Sequence, residues 1–129
     1  MGDSAEISSS AKDTPKSLRT RARILDGAMT LFAQIGYHAA NNAKIAEAAD
    51  LTRGAMLYHF VSREDLVEAA IGHIQTQRNA LFEAAAKDIG PGEDVSEHAI
   101  ESYWQLLHTV PFVAFAELEA VARTDATVR

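Results

Sequence analysis

Two short helical segments separated by a tight turn constrain the fold of this chain more than any other feature. Segment 43–49 places Ile45, Ala46 and Ala49 on one side, and segment 53–59 follows after a turn of about three residues. Neither segment is long enough to be stable alone, because helix nucleation is costly and short helices depend on tertiary packing. Both segments must therefore be held by a longer neighbouring helix.

A longer helix is predicted directly before them. Thr14 is a suitable N-cap, Pro15 suits the first helical position, and Gly36 suits the C-terminal end. Apolar residues recur at helical spacing between these ends. They are Ile24, Ala28, Leu31, Phe32 and Ile35. Asn41 or Asn42 is available to cap the first short segment.

Helical patterns continue through the rest of the chain. Ser62, with an acid three residues later at Asp65, fits a capping box before a long helix to about residue 88. After the strong breaker at 90–92, Asp94 fits another N-cap, and a helix to about residue 110 precedes a kink or a restart at Pro111. Two apolar faces are expected, with Leu66, Ala70, Ile74, Gln77, Leu81 and Ala84 in the long helix, and Ile100, Tyr103, Leu107 and Val110 in the next. No segment has convincing strand alternation, so the predicted class is all-α.

Charge is distributed unevenly along the 129 residues, whose net charge is −6. Residues 1–15 carry a net −2, residues 16–63 a net +4, and residues 64–129 a net −8. The basic part could contact phosphates while the acidic part faces away from them. The alternative is a charge asymmetry without functional meaning.

Composition excludes several classes of protein. The chain has no cysteine, which excludes disulfide scaffolds and thiol catalysis and favours a cytoplasmic location. No apolar run approaches the roughly 18–20 residues of a membrane span, and no export signal pattern opens the chain. Residues 1–15 are polar and Ser-rich and are expected to form a disordered tail. No catalytic or metal-ligand spacing is found, so no enzyme, metal or cofactor is expected.

Two short helices after a longer one are the parts of a helix-turn-helix, although any three-helix cluster imitates that spacing. The second helix would enter the major groove with its N-terminal residues toward the base edges. Arg53 can bind guanine O6 and N7, Thr52 can bond a base or a phosphate, and Ala55 can touch a thymine methyl. Gly54 has no side chain and lets the backbone come close.

Several separated motifs closely resemble those of TetR-family transcriptional regulators, of the AcrR-like kind. They are ILDGAMTLF at 24–32, Gly36-Tyr37, IAEAA at 45–49, TRGAMLYHF at 52–60 and SREDL at 62–66. The resemblance spans about 18–78, with the helix-turn-helix motif at about 41–60. It implies a three-helix DNA-binding domain over 16–62 and a helical ligand-binding and dimerisation domain over 63–129. It also implies a homodimeric repressor that binds a double-stranded DNA operator and is released by a small-molecule effector.

The resemblance assigns further DNA contacts residue by residue. Most of the matching positions meet phosphates in the family, and one also reaches bases. They are Asn41, Asn42, Lys44, Tyr58, His59 and Arg63. For His59, packing against the core is the alternative. Asp50 replaces the family's usual turn glycine and Leu57 replaces a common tyrosine, and both departures leave the operator sequence open.

The C-terminal half resembles the family less specifically. Residues 115–125 look like a segment midway through the regulatory domain, so this domain is expected to be incomplete. Stable dimerisation is not expected, because the helices that form most of the family's dimer interface would follow Arg129. Candidate ligand-binding residues are Tyr103, Trp104, His108, Phe112 and Phe115, with plain core packing as the alternative. The competing function is a helical ligand-binding or protein-interaction module without operator recognition.

Overall fold

The computed structural model describes residues 14–87 and 95–128, and every regular element in these ranges is a helix, as predicted. The helices are α1 (Pro15–Ile35), α2 (Asn42–Ala48), α3 (Arg53–His59), α4 (Arg63–Lys87), α5 (Val95–Leu106) and α6 (Val110–Ala122). Of the expected tail, residues 1–13 lie outside the described ranges, and Thr14 and Pro15 already belong to the start of α1. The predicted breaker at 90–92 and the predicted cap at Asp94 also lie outside them.

Both predicted ends of α1 are confirmed. The Thr14 side chain accepts a hydrogen bond of 3.2 Å from the Ser17 N–H, and Pro15 occupies the first turn. At the other end Gly36 has φ +88° and its N–H donates to the Phe32 carbonyl at 3.2 Å. That backbone conformation favours glycine, because a Cβ would make it strained.

The core lies along the middle of α1. Ile24, Ala28 and Phe32 are buried, as predicted. Leu31 is only half-buried and Ile35 is exposed, because the buried side of α1 turns toward Leu25 and Met29 instead. Helices α2, α3, α4 and α6 supply most of the remaining core residues, which include Ile45, Ala46, Met56, Leu66, Ala70, Ile74, Ala114 and Leu118.

Helix α4 follows its predicted face only in its first half. Leu66, Ala70 and Ile74 are fully buried, while Gln77 and Leu81 are half-buried and Ala84 is exposed. Helices α1 and α6 both pack against α4. Among the described helices, none combines the length and the apolar character that a membrane span requires.

Helix α5 departs from its predicted face. Ile100, Tyr103, Leu107 and Val110 were expected to pack inward, but all four are exposed, Ile100 by 72%. Leu106 is buried instead. Helical periodicity identifies an apolar stripe but not the neighbour that covers it, and within the described residues α5 packs mainly against α4 through a different side. The predicted restart is confirmed, because α6 begins at Val110 with a proline in its first turn.

Candidate nucleic-acid interface

Helix α2 packs against α1. The Asn41 side chain caps it, accepting a hydrogen bond of 2.9 Å from the Lys44 N–H. Ile45 is fully buried on its inner face. Gly27 of α1 lies beside α2, where a Cβ would meet the Cβ of Ala48 at 3.4 Å. Helix α2 therefore supports the motif from within the core.

The turn between α2 and α3 has a left-handed residue at Asp50, with φ +59°. Aspartate adopts this conformation more readily than most residues, so the turn forms without the family's usual glycine. The Asp50 N–H donates to the Glu47 carbonyl at 3.0 Å, and the Leu51 N–H donates to the Ala46 carbonyl at 2.9 Å. These bonds fix the direction in which α3 leaves α2.

The first turn of α3 projects away from the core. The Thr52 side chain caps the helix, accepting a hydrogen bond of 3.0 Å from the Ala55 N–H. Arg53, Gly54 and Ala55 are all exposed, and a Cβ at Gly54 would meet nothing within 4 Å. Met56, one residue further, is buried and anchors the helix. The structure thus places the four residues of the predicted leading turn together on one exposed turn.

Tyr58 and His59 lie at the C-terminal end of α3. The Tyr58 side chain is half exposed and His59 is half-buried, and their rings meet edge to face with centroids 5.2 Å apart. Phe60 ends the helix and is buried. The centre of its ring lies 4.4 Å from the guanidinium carbon of Arg21, so Arg21 of α1 packs against the C-terminal end of α3.

Arg63, at the start of α4, has a place in the fold that the sequence did not reveal. Its guanidinium donates to the carbonyls of Tyr37 and Ala40, both at 3.1 Å, and to the Asn42 side-chain oxygen at 2.8 Å. It also lies 4.6 Å from the centre of the Tyr37 ring. The arginine therefore ties α4 to the segment before α2. The one signal in the sequence was the residue type itself, because the planar guanidinium of arginine can bind several acceptors at once.

The basic side chains of residues 16–63 fall into two sets. Arg21 stacks on Phe60, Arg23 donates to the Ala49 carbonyl, and Arg63 is bound as described above. The other four are exposed and have no hydrogen bond or ion pair within the described parts of the chain. They are Lys16, Arg19, Lys44 and Arg53. Three of the seven basic side chains thus make contacts within the fold, and the other four face solvent.

Known proteins share this arrangement. Residues 24–70 match the family described as "Bacterial regulatory proteins, tetR family". The HTH-type transcriptional regulator UidR of Escherichia coli K12 is 33% identical over 89 residues, which are 69% of this chain and 43% of UidR. The regulator AcrR of Shigella flexneri is 36% identical over 78 residues, 55% of this chain and 36% of AcrR. The chain belongs to the TetR family. It spans less than half the length of these relatives.

A solved structure extends the likeness beyond the helix-turn-helix. The multidrug binding protein EbrR, crystallised with imidazole, superposes with a TM-score of 0.63 over 90% of this chain and 61% of that chain, at 24% identity. At that identity the likeness shows the fold alone. Helices α4 to α6 of this TetR-family chain therefore fold as part of the same helical architecture.

The structure places the five candidate ligand residues in three separate surroundings, and their ligand role stays a prediction. Phe112 and Phe115 both stack on the Arg78 guanidinium, at 4.7 and 3.8 Å from their ring centres. Trp104 is 63% exposed and pairs edge to face with the exposed His108 at 5.0 Å. Only Tyr103 lines the apolar cleft of about 230 Å³ between α4 and α5, with Phe82, Ala85, Ala86, Ala99, Ser102 and Leu106.

Proposed function

We propose that this chain binds double-stranded DNA sequence-specifically through α3 and regulates transcription. The observation that carries the proposal is the exposed, side-chain-capped first turn of α3, at Thr52 to Ala55. In a helix-turn-helix these positions contact base edges in the major groove. The names of the relatives UidR and AcrR, both HTH-type transcriptional regulators, support the same function.

The electrostatics support a role for the exposed cations. Lys44 on α2 and Arg53 on α3 lie on the two helices of the motif, and both are exposed. We assign phosphate contact to Asn41, Lys44, Tyr58 and His59, and base contact to Arg53. Asn42 and Arg63 hold the segment before α2, and the N–H groups of Arg63 outside its three hydrogen bonds are available to a phosphate. The acidic half, with net charge −8 over 64–129, faces away from DNA in this arrangement.

The proposal extends to repression, a small-molecule effector and a cytoplasmic site of action. EbrR is described as a multidrug binding protein, which supports an effector bound by the helical half of the fold. In this chain the apolar cleft between α4 and α5 is the candidate region, with Tyr103 as its single contributor from the predicted set. A homodimer on a two-fold operator would engage two half-sites at once and so raise affinity without new contacts at either half-site.

Selection of duplexes from a random library tests the DNA-binding proposal. The 129-residue chain should enrich one half-site motif. Arg53→Ala should cost about 1–3 kcal/mol on that motif and relax preference at one position, because a bidentate base contact is lost. Arg19→Ala, which removes an exposed cation outside the two motif helices, should leave the sequence preference unchanged. Enrichment of no sequence would contradict the proposal and favour a module without operator recognition.

A further inference from the structure

A contact between α6 and the helix-turn-helix spans eighty positions of sequence. The Glu117 side chain accepts a hydrogen bond of 2.6 Å from the Tyr37 backbone N–H. A Cβ placed on Gly36 would lie 2.9 Å from the same carboxylate oxygen. The carboxylate therefore rests directly against the backbone of residues 36 and 37, at the point where the chain leaves α1.

Tyr37 is held from its other side by α4. Its carbonyl accepts from Arg63 at 3.1 Å, and its buried ring lies under the same guanidinium. Arg63 also donates to Asn42, the first residue of α2. A continuous set of polar contacts thus leads from Glu117 on α6, through Tyr37 and Arg63, to the start of α2.

Residues 36–41 are the connection that decides where α2 lies. The segment is bonded within itself, since the Ala40 N–H donates to the Gly36 carbonyl at 3.0 Å and the Asn41 N–H to the Ala39 carbonyl at 2.9 Å. Asn41 in turn caps α2. The placement of residues 36–41 therefore helps to set where α2 begins, and α3 packs against α2.

We propose that Glu117 is a positioning residue for DNA recognition. Its carboxylate fixes residues 36–41 and thereby sets the placement of α2 and α3 relative to α6. This inference rests on the proposed DNA-binding function.

Substitutions on α6 test the role with a matched control. Glu117→Ala removes the acceptor, Glu117→Gln keeps an acceptor without the charge, and Glu119→Ala removes the same charge at an exposed position two residues along the helix. The measurements are the amide NMR signal of Tyr37 and the affinities of the full chain for the selected duplex and for a scrambled duplex. Glu117→Ala should move the Tyr37 amide signal upfield and lower affinity for the selected duplex on the order of tenfold. Its affinity for scrambled DNA should change less than about twofold.

The control and the conservative variant make the outcome decisive. Glu119→Ala should change neither measurement, and Glu117→Gln should fall between Glu117→Ala and the original chain. Should Glu117→Ala not fold, as judged by circular dichroism, Glu117→Gln carries the test with the same two measurements. If Glu117→Ala loses the same affinity for the selected and the scrambled duplex, or keeps its selectivity unchanged, the positioning role is overturned. The proposed DNA-binding function would still stand. If the original chain selects no duplex, the proposed DNA-binding function fails, and the role of Glu117 fails with it.

Discussion

Helices α2 and α3 are the same length, seven residues each, and each is capped by the side chain of the residue before it. They nevertheless differ in how they meet the core. Helix α2 buries Ile45 and Ala46 and is bound by Arg63 through Asn42, whereas α3 buries Met56 alone. One short helix therefore supports the motif and the other presents an exposed surface. The difference shows that a helix of seven residues can keep most of its surface exposed when one buried anchor holds it beside a well-packed neighbour.

The largest expected effect is the difference in unfolding free energy between a substitution on α2 and one on α3. Ile45→Ala should lower the free energy of unfolding by about 2–5 kcal/mol, because it opens a cavity in the core. The matched change on the outer side of α3, Leu57→Ala, should stay within about 0.5 kcal/mol, since that side chain is exposed. Chemical denaturation followed by circular dichroism measures both. Comparable losses in the two variants would show that α3 is as deeply packed as α2.

The next effect concerns Arg63, which ties α4 to the start of α2. Arg63→Ala should lower the free energy of unfolding by about 1–3 kcal/mol, because three carbonyl and amide acceptors lose their donor. Arg63→Lys should recover little, since a single ammonium cannot reproduce the planar fork. Arg53→Ala, at an exposed arginine on α3, is the control and should leave stability unchanged in a denaturant titration. An unchanged unfolding energy for Arg63→Ala would mean that this residue serves DNA alone.

The N-cap residues of α2 and α3 allow a third comparison between the two helices. Asn41→Ala and Thr52→Ala each remove a side-chain acceptor at a helix start, and each should cost about 1 kcal/mol of unfolding free energy. Only Thr52→Ala should also change base preference, because Thr52 lies on the exposed turn that is proposed to face DNA. Thermal melts and duplex selection give the two readouts. A change of base preference in Asn41→Ala, without one in Thr52→Ala, would reverse the roles given to the two helices.

The smallest effect is a change in salt dependence. Lys44→Ala should weaken binding to all sequences alike and reduce the slope of log K against log salt by about 0.9, the value for one phosphate contact. Lys87→Ala, at the far end of α4, removes the same charge and should leave the slope unchanged. Fluorescence anisotropy over a salt series measures both slopes. An identical change in the two variants would show that Lys44 acts only through net charge.

Residues close in sequence determined the ends of the helices. The caps at Thr14, Thr52 and Ser62 were predicted, and the bounds of α3 agree with the predicted segment. These features depend on hydrogen bonds between residues three or four positions apart, so the local pattern specifies them. The family-specific motifs likewise lie within residues 24–66, where the comparisons agree with them.

Only the tertiary structure decided which faces meet. The apolar stripe of α5 faces outward, Phe112 and Phe115 stack on Arg78, and Glu117 holds Tyr37 from eighty positions away. A periodic pattern predicts that one face of a helix is apolar, and a charged residue indicates that it can form a polar contact. Neither predicts which distant element supplies the contact, because that depends on how all the helices pack around α1.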